Sequence, residues 1–155
     1  MTLKFPGVVV LLLCIAGSVH AQATCSVSAN GLSFGEYDVF AQHENDSVGN
    51  LSVSCTGLTE SATVAYEIQL SRGSGSYVSR TLTSDNNVLV YNVYTQANHL
   101  FIWGDGSAGT TVLSDSYGLG LSTVSNNYPI YGRIPARQNV NVGSYSDTLM
   151  MSVNY

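Results

Sequence analysis

The sequence predicts an all-β domain in which two sheets pack as a sandwich. Three observations carry that expectation. Short segments alternate apolar and polar residues with a period of two, turn-forming residues separate them, and no helical period persists after Cys25. The closing stretch, Gly143 to Tyr155, shows the pattern most clearly: Leu149, Met151, Val153 and Tyr155 share one face and Thr148, Met150, Ser152 and Asn154 the other. A strand with an apolar face needs neighbours on both edges, because unpaired backbone groups and uncovered side chains are costly.

Residues 1–21 read as a secretory signal peptide. Lys4 supplies the positive start, Val8 to Ala16 an apolar run too short to span a bilayer, and Val19-His-Ala21 the small residues of a cleavage site. Cutting after Ala21 leaves a mature chain of residues 22–155, one domain's worth of sequence, and Ala21-Gln-Ala23 is a second acceptable site. No membrane-spanning helix is expected in that remainder.

The strands then follow in order. Cys25 belongs to the first, and Leu32 to Tyr37 reads as a short aromatic strand. A polar loop, Gln42 to Ser47, contains Asn45-Asp-Ser, which reads as a solvated turn before it reads as a glycosylation sequon. Leu51, Val53 and Cys55 share an inward face, so a Cys25–Cys55 disulfide ties the first strand to the second. Cys14 leaves with the signal peptide, and two cysteines in an exported chain pair most simply with each other. Such a bond contributes roughly 3 to 4 kcal/mol on the chain-entropy estimate.

Val64, Tyr66, Ile68 and Leu70 form the next inward face, and Arg72 to Ser76 breaks the strand. Arg80 to Thr83 leads through Ser84 to Asn87 into Val88–Tyr94, apolar on both faces and therefore central. Phe101 to Gly109 reads as an aromatic strand running into a glycine-rich turn, with no helix or lysine after it to cradle a phosphate. Val112 to Val124 mixes short apolar pieces, and Tyr128 to Pro135 reads as an edge-compatible strand bounded by prolines. Strands at this spacing argue for an immunoglobulin-like sandwich, although Trp103 lies outside the two cysteines.

Composition excludes several functions. After Lys4 is removed, Arg72, Arg80, Arg133 and Arg137 face ten acidic residues, a poor surface for nucleic acid or anionic lipid. No catalytic signature is present, His43 and His99 sit in no ligand spacing, and the carboxylates are scattered singly. Neither an enzyme nor a bound metal or cofactor is expected. Tyrosine is frequent; Tyr77 and Tyr117 in glycine-rich loops, with Trp103, are candidates for an adhesive or sugar-contacting surface.

Six motifs in register cover essentially the whole mature chain. Leu32-Ser-Phe-Gly-Glu-Tyr-Asp38, Val53-Ser-Cys-Thr56, Leu89-Val-Tyr-Asn-Val-Tyr94, Ile102-Trp-Gly-Asp-Gly106, Tyr131-Gly-Arg-Ile-Pro135 and Gly143-Ser-Tyr-Ser-Asp-Thr148 together resemble the spore coat protein U domain family, which includes Csu-type subunits of archaic chaperone-usher pili. The resemblance implies an incomplete sandwich whose missing last strand is supplied by a donor strand. A periplasmic chaperone fills the gap first and a neighbouring pilus subunit later, during export through an outer-membrane usher to the cell surface. Leu149, Met151, Val153 and Tyr155 then help form the acceptor groove, with Tyr155 as a chaperone anchor.

The chain departs from polymerising members of the family ahead of Cys25. Gln22, Ala23 and Thr24 span at most ~11 Å and cannot fill a groove of several alternating positions. The expectation is a terminal, tip subunit that accepts a strand and does not donate one. The rivals are a spore or cell-surface coat protein, a secreted carbohydrate-binding module, and last a hydrolase.

Overall fold

A computed structural model describes residues 22–155; the expected signal peptide, with its cleavage point at Ala21, lies outside them. Eight strands appear among the described residues: β1 (Ala23–Asn30), β2 (Asn45–Gly57), β3 (Thr63–Leu70), β4 (Arg80–Ser84), β5 (Asn87–Tyr94), β6 (Leu113–Gly118), β7 (Thr123–Ile134) and β8 (Met151–Asn154). They form a five-stranded sheet in the order β1-β2-β7-β5-β4 and a three-stranded sheet in the order β6-β3-β8.

Alternation sets the core. Leu51, Val53 and Cys55 of β2 and Val64, Tyr66, Ile68 and Leu70 of β3 are all buried, while their neighbours along each strand are more exposed. Complete burial of a side chain such as Ile68 contributes roughly 1.5 to 3 kcal/mol, and one cluster joins both sheets. The Cys25–Cys55 disulfide links residues that face each other in the β1–β2 register. It fastens an edge strand that is otherwise largely exposed.

Several elements differ from the sequence expectation. Leu32 to Tyr37 is not a strand: its carbonyls are held by side chains, Asn45 Nδ2 donating to Phe34 O at 3.1 Å and Glu36 O at 3.0 Å, and Ser47 Oγ to Ser33 O at 2.7 Å. Asn45 and Ser47 accordingly open β2 and do not form a loop. Phe101 to Gly109 contributes only isolated bridges, Tyr94 with Ile102 and Trp103 with Thr111. Val112 to Val124 resolves into β6, a turn, and the start of β7, so the chain changes sheets there.

The Tyr128–Pro135 segment belongs to a central strand, not an edge. β7 pairs with β2 over its whole length, but β5 meets it only at Tyr131, Gly132 and Arg133. At Pro129 one edge of β7 therefore carries no partner, and a missing N–H is tolerated there. The last strand is shorter than its alternation suggests. Before β8, Ser146 bridges Thr83 of β4 and Met150 O accepts from Ser71 N, so this segment crosses from one sheet to the other.

Candidate functional site

The crossing leaves a groove of about 1060 Å³ between the sheets. Its floor is apolar core: Leu70, Leu82, Leu89, Tyr91, Val93 and Trp103. Residues 29–40 form one wall; residues 140–147, Leu149 and Met151 form the other.

The first wall lies against β7 because Gly132 lets it. A Cβ at that position would stand 2.7 Å from both Leu32 Cδ1 and Phe34 Cζ. Residues 31–37 make no backbone-to-backbone hydrogen bond among the described residues. At the far end the Tyr37 hydroxyl donates to Pro135 O at 2.7 Å and accepts from Gln138 N at 2.8 Å. The Gln138 amide in turn completes β5 at Val90, accepting from its N–H and donating to its carbonyl, both at 2.8 Å.

On the second wall Tyr145, Asp147, Leu149 and Met151 are half-buried and the residues between them exposed. Asp147 holds this wall in place. Its carboxylate accepts from the Tyr91 hydroxyl at 2.7 Å, from Ser74 N at 3.1 Å and from Ser74 Oγ at 2.8 Å. Gly73, with φ +62°, passes so close that a Cβ would collide with that carboxylate. Burial, and then the bond to Asp147, push the Tyr91 phenol well above its ordinary pKa.

Beneath the floor Arg80 is fully buried. It donates to Asn92 Oδ1 and Trp103 O at 2.6 Å each and to Ser71 O at 2.9 Å, and its guanidinium lies 5.5 Å from the Tyr77 ring centroid. Burial pulls its pKa down, and the neighbouring Tyr91, Tyr77 and Asp147 oppose that shift. The Trp103 indole donates to Ile68 O at 2.9 Å, tying the floor to the three-stranded sheet.

Of the residues expected at an acceptor groove, Leu149 and Met151 line it. Val153 is half-buried and pairs with Ile68, and Tyr155 is exposed beyond β8 beside a shallow hollow at Ala65 and Glu67. The adhesive candidates need correction. Trp103 is 1% exposed and serves the core. Tyr77 is half-buried over Arg80. Tyr117 lies on a strand, not in a loop, with its ring edge-on to Tyr66 at 6.1 Å.

Leu32, Phe34, Tyr91, Arg80 and Asp147 are absent from the sequence expectation for the site. For two of them the signal is parity: Arg80 falls on the face of Leu82, and Asp147 on the face of Leu149 and Met151. Among the described residues no three His, Cys, Asp or Glu side chains gather where a metal could bind, and no helix is long and apolar enough to cross a membrane. The arrangement offers an apolar trough flanked by a wall that makes no backbone-to-backbone hydrogen bond and whose Ser33, Phe34 and Glu36 carbonyls are held by side chains.

A family model described as the Spore Coat Protein U domain matches residues 11–152. "Protein U" of Myxococcus xanthus is 30% identical over 145 residues, covering 84% of this chain and 77% of that protein. A chain in the crystal structure of the CsuC-CsuE chaperone-tip adhesion subunit pre-assembly complex, from archaic chaperone-usher Csu pili of Acinetobacter baumannii, aligns with a TM-score of 0.58 at 17% identity. That alignment covers 86% of this chain and 40% of the solved one, so this chain spans less than half of its length. At such identity the likeness is one of fold, and it agrees with the all-β, immunoglobulin-like expectation.

Proposed function

Because the chain belongs to the Spore Coat Protein U domain family, we propose that it is a structural subunit of a chaperone-usher type surface fibre and that its groove accepts a β-strand from another chain. The observation that carries this reading is the groove itself: an apolar floor about 1060 Å³ in extent beneath a wall, residues 31–37, whose backbone has no backbone partner. An inserted strand pairs with those backbone groups of the wall that Asn45 and Ser47 do not already hold and buries alternate side chains against Leu82, Leu89 and Trp103, so hydrogen bonds supply affinity and side-chain fit supplies specificity.

On this reading residues 1–21 direct export, residues 22–155 are the assembled domain, and no catalysis is required. The partners are a periplasmic chaperone, an outer-membrane usher and a neighbouring subunit, and the destination is the cell surface. Support for the chaperone comes from the solved Csu complex, in which a chaperone is paired with a tip adhesion subunit. Leu149 and Met151 contact the inserted strand, with Val153 and Tyr155 as further chaperone contacts. The terminal placement rests on cleavage after Ala21. Ala23 and Thr24 of β1 pair with Gly57 and Thr56 of β2, and the Gln22 carbonyl accepts from Leu58 N at 2.9 Å, so a chain cut there has no free segment ahead of β1 to donate. N-terminal sequencing of the mature protein tests this, and a start well upstream would overturn it.

The groove is tested by thermal unfolding of the disulfide-intact mature protein, alone and with synthetic peptides of alternating apolar residues. The expected result is a low, broad transition that one peptide raises sharply. A high, cooperative transition indifferent to every peptide would sink the proposal. It would favour the second reading, a coat component, which the description of the matching family model as a Spore Coat Protein U domain supports.

A further inference from the structure

Charge is distributed unevenly around the groove. Among its lining residues Glu36, Asp38 and Asp147 are acidic, and none is lysine or arginine. Asp147 is committed to Tyr91 and Ser74 within the protein. Glu36 and Asp38 are exposed and enter no ion pair among the described residues.

These two carboxylates lie toward one end. Leu32 and Phe34 meet Gly132 within β7, whereas Tyr37, between Glu36 and Asp38, meets Pro135 and Gln138 beyond the end of that strand. The first wall is thus apolar where it meets β7 and acidic where it passes beyond it. Phe40 and Val142, which also line the groove, are strongly exposed.

We propose that the groove is built for a strand that is apolar on its inward face and cationic where it passes Glu36 and Asp38, so that charge selects both the partner strand and its direction of insertion. This rests on the strand-acceptor reading above. An alternating apolar strand can meet an apolar floor in either direction, since the backbone ladder forms both ways. A charge at one end breaks that symmetry, favouring one orientation and penalising an acidic strand. Exposed pairs are individually weak, so two of them are worth about three- to tenfold in affinity. The preference also fades with salt, as the screening length falls from ~10 Å at 0.1 M to ~3 Å at 1 M.

The test uses the mature, disulfide-intact protein and synthetic peptides sharing one apolar alternation. Their outward positions are uncharged, carry two lysines near the N-terminus, carry two lysines near the C-terminus, or carry glutamates at those places. The expected result is that one lysine peptide binds about three- to tenfold tighter than the uncharged one, and the other does not. The glutamate peptides bind more weakly, and the difference collapses at high salt and in the E36Q/D38N double variant. Equal binding of lysine and glutamate peptides, or a preference that survives in the double variant, overturns this inference and leaves the acceptor groove standing. If no peptide binds, the uncharged one included, both fall together.

Discussion

Arg80 places a charge in the interior with no carboxylate at ion-pair distance among the described residues. What compensates its desolvation is a full set of acceptors: Asn92 Oδ1, Ser71 O and Trp103 O. Arg80→Ala leaves those acceptors buried and unpaired and opens a cavity beneath the groove floor. The expected loss is about 3 kcal/mol in denaturant unfolding, and a change under 1 kcal/mol would show that the site relaxes around the gap. Tyr117 presents the reverse case. Its hydroxyl is buried without a partner, so it carries a desolvation penalty with no bond in return. Tyr117→Phe keeps the edge-on packing with Tyr66 and is expected to raise stability by about 1 kcal/mol by the same measurement. A loss of stability instead would mean that the hydroxyl is satisfied in solution.

Among the strands, β1 is the one whose attachment depends most on a covalent bond. It sits at the edge of the five-stranded sheet, only Ala23 is fully buried, and Cys25–Cys55 bridges it to β2 across a sequence separation of 30. Replacing both cysteines with serine is expected to cost roughly 3 to 4 kcal/mol. Hydrogen exchange should show β1 opening first, before β2 and β7; uniform loss of protection across the sheet would contradict this. The pairing was legible because only Cys25 and Cys55 follow the expected signal peptide, and the inward face of Cys55 because it shares its parity with Leu51 and Val53. β3 was legible for the same reason, as period-two alternation reports burial directly. Where the sequence misled, the cause lay outside that signal. Leu32 to Tyr37 has strand-like composition, yet its carbonyls go to Asn45 and Ser47 side chains, a choice that alternation does not encode. Pro129 suggested an edge, but β5 stops short of it, and strand lengths on a neighbour cannot be read locally. Half of the groove was visible in Leu149 and Met151. The opposite wall depends on the close approach at Gly132, a tertiary fact.

Across the whole molecule, phenols help lock the two sheets together. Tyr66 of β3 shares a hydrogen bond with Tyr128 of β7, and Tyr128 donates to Asp115 of β6; on the groove side Tyr91 of β5 donates to Asp147. These contacts require the phenols to keep their protons. Burial above all pushes Tyr66 and Tyr117 up to about 12 from an ordinary value of 10.0, and the hydrogen bond to Tyr128 adds to the shift at Tyr66. Because the folded state holds these protons more tightly than the unfolded chain, it is favoured in full below pH 10. That advantage shrinks as pH rises through the window from about 10 to about 12, where the unfolded state has already released its protons. The protein is therefore expected to lose stability steeply across that interval. Circular dichroism and phenolate absorbance, followed together while the pH is stepped upward, check this. The phenolate signal of the interior tyrosines should appear together with the loss of sheet structure. If those tyrosines ionise near pH 10 while the sheets remain intact, the phenols face water and the inter-sheet network does not hold the sandwich closed.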